Sequence, residues 1–195
     1  MIEYIKGEIA ELSPAQMVIE CSGIGYEINI SLTTYSAING CRECKMYVYE
    51  VIREDAHLLF GFATREEREL FLLLTSVSGV GPNTARMILS SLHPSDLINI
   101  IASGDDVSLT SVKGIGSKTA QRIVVDLRNK VKPLESLGGK KSAQSSRSET
   151  AEGAISALVM LGFQKAQSQK AVDSILKISP SLSVEQIIKD ALKML

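Results

Sequence analysis

Two short glycine-bearing stretches carry the clearest chemistry in this chain. Val77-Ser-Gly-Val-Gly-Pro-Asn-Thr-Ala-Arg-Met-Ile recurs 35 positions later as Val112-Lys-Gly-Ile-Gly-Ser-Lys-Thr-Ala-Gln-Arg-Ile. Gly79/Gly114, Val80/Ile115, Gly81/Gly116, Thr84/Thr119, Ala85/Ala120 and Ile88/Ile123 all match in one register. The pattern is that of a helix-hairpin-helix. Its glycines allow a sharp turn and a bare backbone beside a ligand. The helix that follows directs unpaired N–H groups and a positive dipole end at an anion. Phosphate fits that site, and two copies imply a grip on a nucleic-acid backbone that reads shape and not bases. Gly79, Val80, Gly81 and Asn83 are the candidates in the first copy. Gly114, Ile115, Gly116, Ser117, Lys118, Thr119 and Arg122 are those in the second.

Other arrangements that could do chemistry are incomplete. Cys41-Arg-Glu-Cys44 has the spacing of half a zinc or redox site, yet no second ligand pair lies near it. Two loop cysteines without a metal is the expectation. Gly116-Ser-Lys-Thr and Gly139-Lys-Lys-Ser each resemble part of a phosphate loop without completing it. No nucleophile–base set is evident, so no catalytic residue and no cofactor are expected. Glu54-Asp55 falls between two strand-like runs. Acidic residues solvate turns, and two carboxylates beside DNA would also repel phosphates; the local sequence allows both accounts.

Three groups of elements must position these residues. Residues 1–63 are expected to form a small five-stranded closed barrel such as an OB-fold, with an SH3-like barrel as the other possibility. Strand-like runs occupy Ile2–Lys6, Met17–Cys21, Tyr26–Ile30, Lys45–Ile52 and His57–Phe62, with turns at Ser13-Pro14, Ser22-Gly23 and Asn39-Gly40. At Thr64 the period becomes helical. Thr64-Arg-Glu-Glu67 has the form of a capping box, followed by Leu70, Phe71, Leu74 and Val77. Residues 64–132 then hold the two hairpins, joined by a helix near Pro94–Ala102. Periodicity is lost over 133–149, a serine- and glycine-bearing tether. Residues 150–195 read as three short helices, with Gly162 as a left-handed cap and a capping box at Ser183–Gln186. The whole is an α+β multidomain chain.

The net charge of −1 hides a gradient. Residues 1–63 hold 4 basic against 9 acidic residues, 64–132 hold 9 against 7, and 133–195 hold 8 against 6. Few cations per chain mean weak DNA binding by one subunit, because the salt-dependent term scales with phosphates neutralised. Several copies acting together would strengthen it. Three cysteines and the lack of a basic-apolar leader or long apolar run imply a cytoplasmic protein.

Taken in order, the barrel, acidic hairpin, tandem hairpins and tethered module resemble the bacterial RuvA family over essentially the whole chain. The most specific stretches are Val51-Ile-Arg-Glu-Asp-Ala-His-Leu-Leu-Phe-Gly-Phe62, Gly79-Val-Gly-Pro and Gly114-Ile-Gly-Ser-Lys-Thr-Ala. The resemblance implies a non-catalytic subunit that binds four-way (Holliday) junction DNA as a homotetramer, singly or as two face-to-face tetramers. It implies a hexameric ATPase partner, RuvB, held by the C-terminal module, and the resolvase RuvC in the larger complex. Glu54 and Asp55 then match an acidic pin at the tetramer centre, and the hairpin residues match phosphate grips. Leu158, Leu161, Phe163 and Leu192 are the candidates for the motor contact. Asn83 and Ser117 stand where relatives often carry lysine, which bears on the strength of each grip. A helix-hairpin-helix repair enzyme or nuclease subunit is the alternative; Asp126 is the acid it would have to use. An adaptor resembling ubiquitin-associated modules leaves the hairpin duplication unexplained.

Overall fold

The computed structural model describes residues 1–131, 146–179 and 182–194. The chain divides into two compact units, Met1–Gly139 and Lys140–Leu195. Most of the tether expected over 133–149 lies outside the described residues.

The first unit begins with strands β1 (Tyr4–Ser13), β2 (Gln16–Cys21) and β3 (Ile24–Ile30), followed by helix α1 (Leu32–Ile38). Strands β4 (Glu43–Ile52) and β5 (His57–Phe62) complete a closed barrel in the order β1-β2-β3-β5-β4. All neighbours are antiparallel except β3 and β5, which meet in parallel over Asn29↔Phe60 and Ile30↔Gly61. Strand β1 is longer than its apolar run because it serves two neighbours. Tyr4–Glu8 pair with β4, and Glu8–Ser13 pair with β2 after a register shift between Ile9 and Glu11. Such a bulge bends the strand around the barrel.

Helix α1 is absent from the sequence reading. Its two adjacent β-branched threonines disfavour a helix locally. The Ser31 side chain nevertheless accepts from Thr34 N–H at 2.9 Å and caps it. Asn39-Gly40 therefore ends a helix, with Gly40 at φ +85°.

Strand β5 is buried on both faces, which joins the barrel to the helices. Leu59 packs inward with Ile5, Met17, Ile19, Ile28, Met46 and Val48. Phe60 and Phe62 point the other way, into the helical core. There Phe71 of α2 (Arg65–Thr75) lies 5.3 Å from the Phe60 ring, 4.8 Å from Phe62 and 5.6 Å from Tyr49. Around it pack α3 (Pro82–Ser91), α4 (Pro94–Ser103), α5 (Asp106–Thr110) and α6 (Ser117–Leu127). The helically spaced Ala120, Ile123, Val124 and Leu127, with Val131 beyond them, are buried there.

Glu67 departs from its expected place. Thr64 does cap α2, accepting from Glu67 N–H at 3.2 Å. The Glu67 carboxylate does not complete the capping box. It is buried and accepts from Ser31 Oγ at 2.5 Å and Thr34 Oγ1 at 2.6 Å. Burial pushes its carboxyl up from the ordinary value, against the lowering effect of the two hydroxyl donors. A side chain that would have capped its own helix instead fastens α2 to the first turn of α1.

The second unit contains α7 (Ser146–Met160), α8 (Lys165–Ile178) and α9 (Val184–Ala191). Helix α7 begins within the range expected for the tether, where Ser146–Thr150 holds no proline or glycine to stop it. Leu158, Val172, Ile187 and Ala191 form its core. Gly162, at φ +100°, ends α7 with Phe163 N–H donating to Leu158 O at 3.1 Å. The Ser183–Gln186 capping box is present.

Candidate nucleic-acid interface

The sequence duplication is also a duplication of geometry. In the first copy Gly79 adopts φ +91°, and Val80 N–H closes a turn onto Val77 O at 3.0 Å. In the second, Gly114 adopts φ +89°, and Ile115 N–H donates to Val112 O at 3.0 Å. Left-handed backbone favours glycine at both positions. Gly81 and Gly116 then serve as N-caps of α3 and α6 without a side-chain cap, at φ −85° and −83°. Any residue tolerates those angles. A Cβ added at either glycine would meet no atom within 4 Å. Neither fold nor packing requires a glycine there, so the missing side chains leave room for something outside the chain.

The N–H groups beyond each glycine point to what that is. The first helical turn has no intrahelical acceptors. Asn83 and Thr84 in α3, and Ser117, Lys118 and Thr119 in α6, have no backbone N–H acceptor among the described residues. Only the fourth residue of each turn has its N–H engaged, Ala85 to Gly81 O and Ala120 to Gly116 O. Pro82 has no N–H to satisfy, which suits the first position of α3. Each hairpin thus presents a short row of free donors over bare glycine.

Val80 and Ile115 depart from expectation. Both side chains are buried and both N–H groups are used in the turns, so they anchor the hairpins and do not themselves donate to an anion. Their apolar character is the sequence signal for that role. Gly79, Gly81, Asn83, Gly114, Gly116, Ser117, Lys118 and Arg122 are exposed, and Thr119 is half-buried.

The two copies differ in charge. The second has exposed Lys118 and Arg122, with exposed Lys113 immediately before Gly114, a cation not singled out in the sequence reading. In the first, Arg86 is turned to the barrel, where Nη1 donates to Ala15 O at 3.0 Å and Asn29 Oδ1 at 3.2 Å. The first hairpin therefore presents backbone donors and the helix dipole without a free cation beside them among the described residues.

Glu54 and Asp55 occupy the tip of the β4–β5 hairpin, exposed and without a hydrogen bond or ion pair among the described residues. The tip closes through Arg53 N–H to Ala56 O at 2.8 Å. Arg53 is exposed beside the acids, leaving the tip at a net −1. At the base, Glu50 accepts from Ile2 N–H at 2.8 Å and lies 3.3 Å from His57 Nε2. The Ile2 hydrogen bond is the main cause holding its carboxyl below the ordinary value.

Among the described residues no three metal-ligating side chains gather, and Cys21, Cys41 and Cys44 are free thiols. Burial, with Cys41 nearby, pushes the Cys44 thiol up, the opposite of an activated thiolate. Asp126 is exposed on α6. No described helix is long and apolar enough to cross a membrane. In the C-terminal unit Leu158 is fully buried, so it supports the core and cannot itself meet a partner. Phe163 packs partly against that core, whereas Leu161 and Leu192 are 60% and 43% exposed.

A five-stranded closed barrel fused to two helix-hairpin-helix units with open N-termini, and followed by a three-helix unit, defines a modular helix-hairpin-helix protein. Comparison with known proteins narrows the class. Residues 1–61 match the RuvA N terminal domain, 71–129 the SAM-like helix-hairpin-helix tandem, and 150–195 the RuvA C-terminal domain. The chain is 68% identical to the Holliday junction branch migration complex subunit RuvA of Parabacteroides distasonis, with all of both chains covered. It is 59% identical to that of Bacteroides fragilis over all of both chains, and 46% identical to that of Flavobacterium psychrophilum over 99% of each. The chain belongs to the RuvA family.

Proposed function

We propose that this protein is the junction-binding subunit of a branch migration complex, acting in recombination and repair of DNA. Its role is to hold a four-way junction open and flat while a separate ATPase moves the arms. The observation that carries this reading is the pair of N-cap glycines, Gly81 and Gly116, set in open space before rows of unpaired N–H groups. Backbone donors at helix N-termini suit phosphate and carry no base information. A junction has the same bases as a duplex, so its recognition must rest on geometry.

Four copies arranged about a four-fold axis would turn individually weak grips into shape selection. Strong binding then requires arms converging at the angles the tetramer presents. Glu54 and Asp55 from each chain would ring the crossover and oppose close approach of the phosphates there. Their lack of ion pairs among the described residues supports this placement, and Arg53 tempers it. The exposed Leu161 and Leu192 would contact RuvB, with Leu158 and Phe163 holding their surface in place. RuvC would act on the same assembly in the cytoplasm. The chain itself carries no catalytic residue in this reading.

The repair-enzyme alternative is not favoured. It would need chemistry at Asp126, and no set of acids or histidines gathers there among the described residues. Reconstitution separates the two. A synthetic junction incubated with RuvB and ATP should resolve into two duplexes only when this protein is added. Strand cleavage by this protein alone would instead support the enzyme reading.

A further inference from the structure

The two hairpins share a turn but not an attachment. Helix α3 is tied to the barrel through Arg86 and to helix α1 at two further places. Arg86 reaches Ala15 O and Asn29 Oδ1, Thr33 Oγ1 donates to Leu89 O at 2.6 Å, and Leu32 N–H donates to Ser90 Oγ at 3.1 Å. In the repeat register Arg86, Leu89 and Ser90 become Gln121, Val124 and Val125. Gln121 and Val125 are exposed. Among the described residues no hydrogen bond or ion pair joins 112–127 to the barrel. The nearest arginine bond, Arg128 Nε to Ala102 O at 3.1 Å, stays within the helices.

The Arg86 contact continues across the barrel. Asn29 accepts from Arg86 through Oδ1 and donates through Nδ2 to Leu59 O at 3.3 Å. Both ends of this amide are used. Asn29 also lies at the short parallel seam where β3 meets β5. Strand β5 pairs along its length with β4, and the loop between them carries Glu54 and Asp55. A continuous path thus runs from the first hairpin's helix, through Arg86 and Asn29, to the strand that supports the acidic tip.

We propose that Arg86 is a positioning residue for junction selection. It fixes the first hairpin in register with the acidic tip, while the second hairpin, held to the shared core by apolar packing and not by polar ties to the barrel, adjusts to the duplex arm. The inference rests on the junction-binding reading. Shape selection by avidity requires that grips and centre keep fixed spacings, because misplacing one grip forfeits the simultaneous engagement that multiplies affinity. Both bonds leave one nitrogen, Nη1, whose two hydrogens are held in the plane of the guanidinium, whereas a lysine ammonium is a point charge on a flexible stem.

The test compares full-length wild type with Arg86→Met, Arg86→Lys and the repeat-register control Gln121→Met. Each is measured for binding to a synthetic four-way junction and to linear duplex across a salt series, with a thermal melt to check folding. Loss of this tie, outright in Arg86→Met and through the lost planar geometry in Arg86→Lys, predicts that junction preference over duplex falls about ten-fold in both variants. Duplex affinity and its salt slope should stay at wild-type values, and Gln121→Met should match wild type throughout. Restored preference in Arg86→Lys would overturn the proposal. Equal weakening on both DNAs with a shallower salt slope would also overturn it, assigning Arg86 a phosphate contact. Wild-type preference in Arg86→Met would do the same, and should that variant fail to fold, Arg86→Lys alone decides. Absence of junction preference in the wild type would instead remove the underlying reading.

Discussion

Replacing Gly116 by aspartate should strengthen the fold while disabling the grip. At φ −83° and ψ 163° the position accepts any L-residue, and the new Cβ would find no atom within 4 Å. Aspartate is a better N-cap than glycine by a few tenths of a kcal/mol. Its charge at the helix N-terminus adds about 0.3–1 kcal/mol. Together these raise the melting temperature by roughly 2–4 °C for a chain of this size. The same carboxylate would occupy the N–H groups of the first turn and repel an incoming phosphate. Losing charge-assisted hydrogen bonds worth about 1.5–3 kcal/mol weakens each grip roughly ten- to a hundred-fold. Gly116→Ala serves as the steric control, adding a methyl group without an acceptor. Differential scanning calorimetry and fluorescence anisotropy on the same preparations read both effects. Undiminished DNA binding by Gly116→Asp would refute the reasoning, because the open N-terminus would then not be where phosphate sits.

Further expectations concern the acidic tip, the buried carboxylate and the C-terminal unit. Glu54→Gln with Asp55→Asn should bind junctions at least as tightly as wild type yet support poorly regulated migration; a gel-shift titration showing lost junction binding would count against the electrostatic role. Glu67 has its carboxyl raised by burial above the ordinary 4.5, so the stability it contributes is full below that pH and lost as pH rises through the raised native value. Glu67→Gln should therefore lose less stability than wild type between pH 4.5 and neutrality, and parallel urea-midpoint profiles would argue otherwise. Leu161→Asp should leave the melt unchanged and abolish RuvB recruitment in a pull-down, whereas Leu158→Ala should cost about 2–5 kcal/mol through its cavity. Retained recruitment by Leu161→Asp would move the motor contact elsewhere.

Local chemistry was legible in the sequence, and long-range partners were not. The hairpins could be read because their glycines, apolar anchors and alanines recur in one register, and each does its work within a dozen residues. The run Tyr26–Ile30 likewise alternates, with Ile28 and Ile30 buried on one barrel face. Glu67 misled because Thr-x-x-Glu is the same string whether or not the carboxylate turns back. Its partners Ser31 and Thr34 lie 36 and 33 residues away, and only the fold brings them near. Helix α1 was hidden by β-branched residues whose cost is offset by the Ser31 cap. Val80 and Ile115 were grouped with the donors by adjacency, although their apolar side chains mark them as anchors. Nothing local marks the role of Arg86, because its partners Ala15 and Asn29 are 71 and 57 residues distant.

The central claim is that glycine-capped grips, multiplied four-fold, select a junction by its shape. Competition of a labelled four-way junction against excess linear duplex of the same sequence, at moderate salt, tests it most directly, with complex mass recorded in parallel. Retention of the junction by four copies of this chain, or by eight, is the predicted result. Equal retention of junction and duplex, or binding by single chains, would contradict the account.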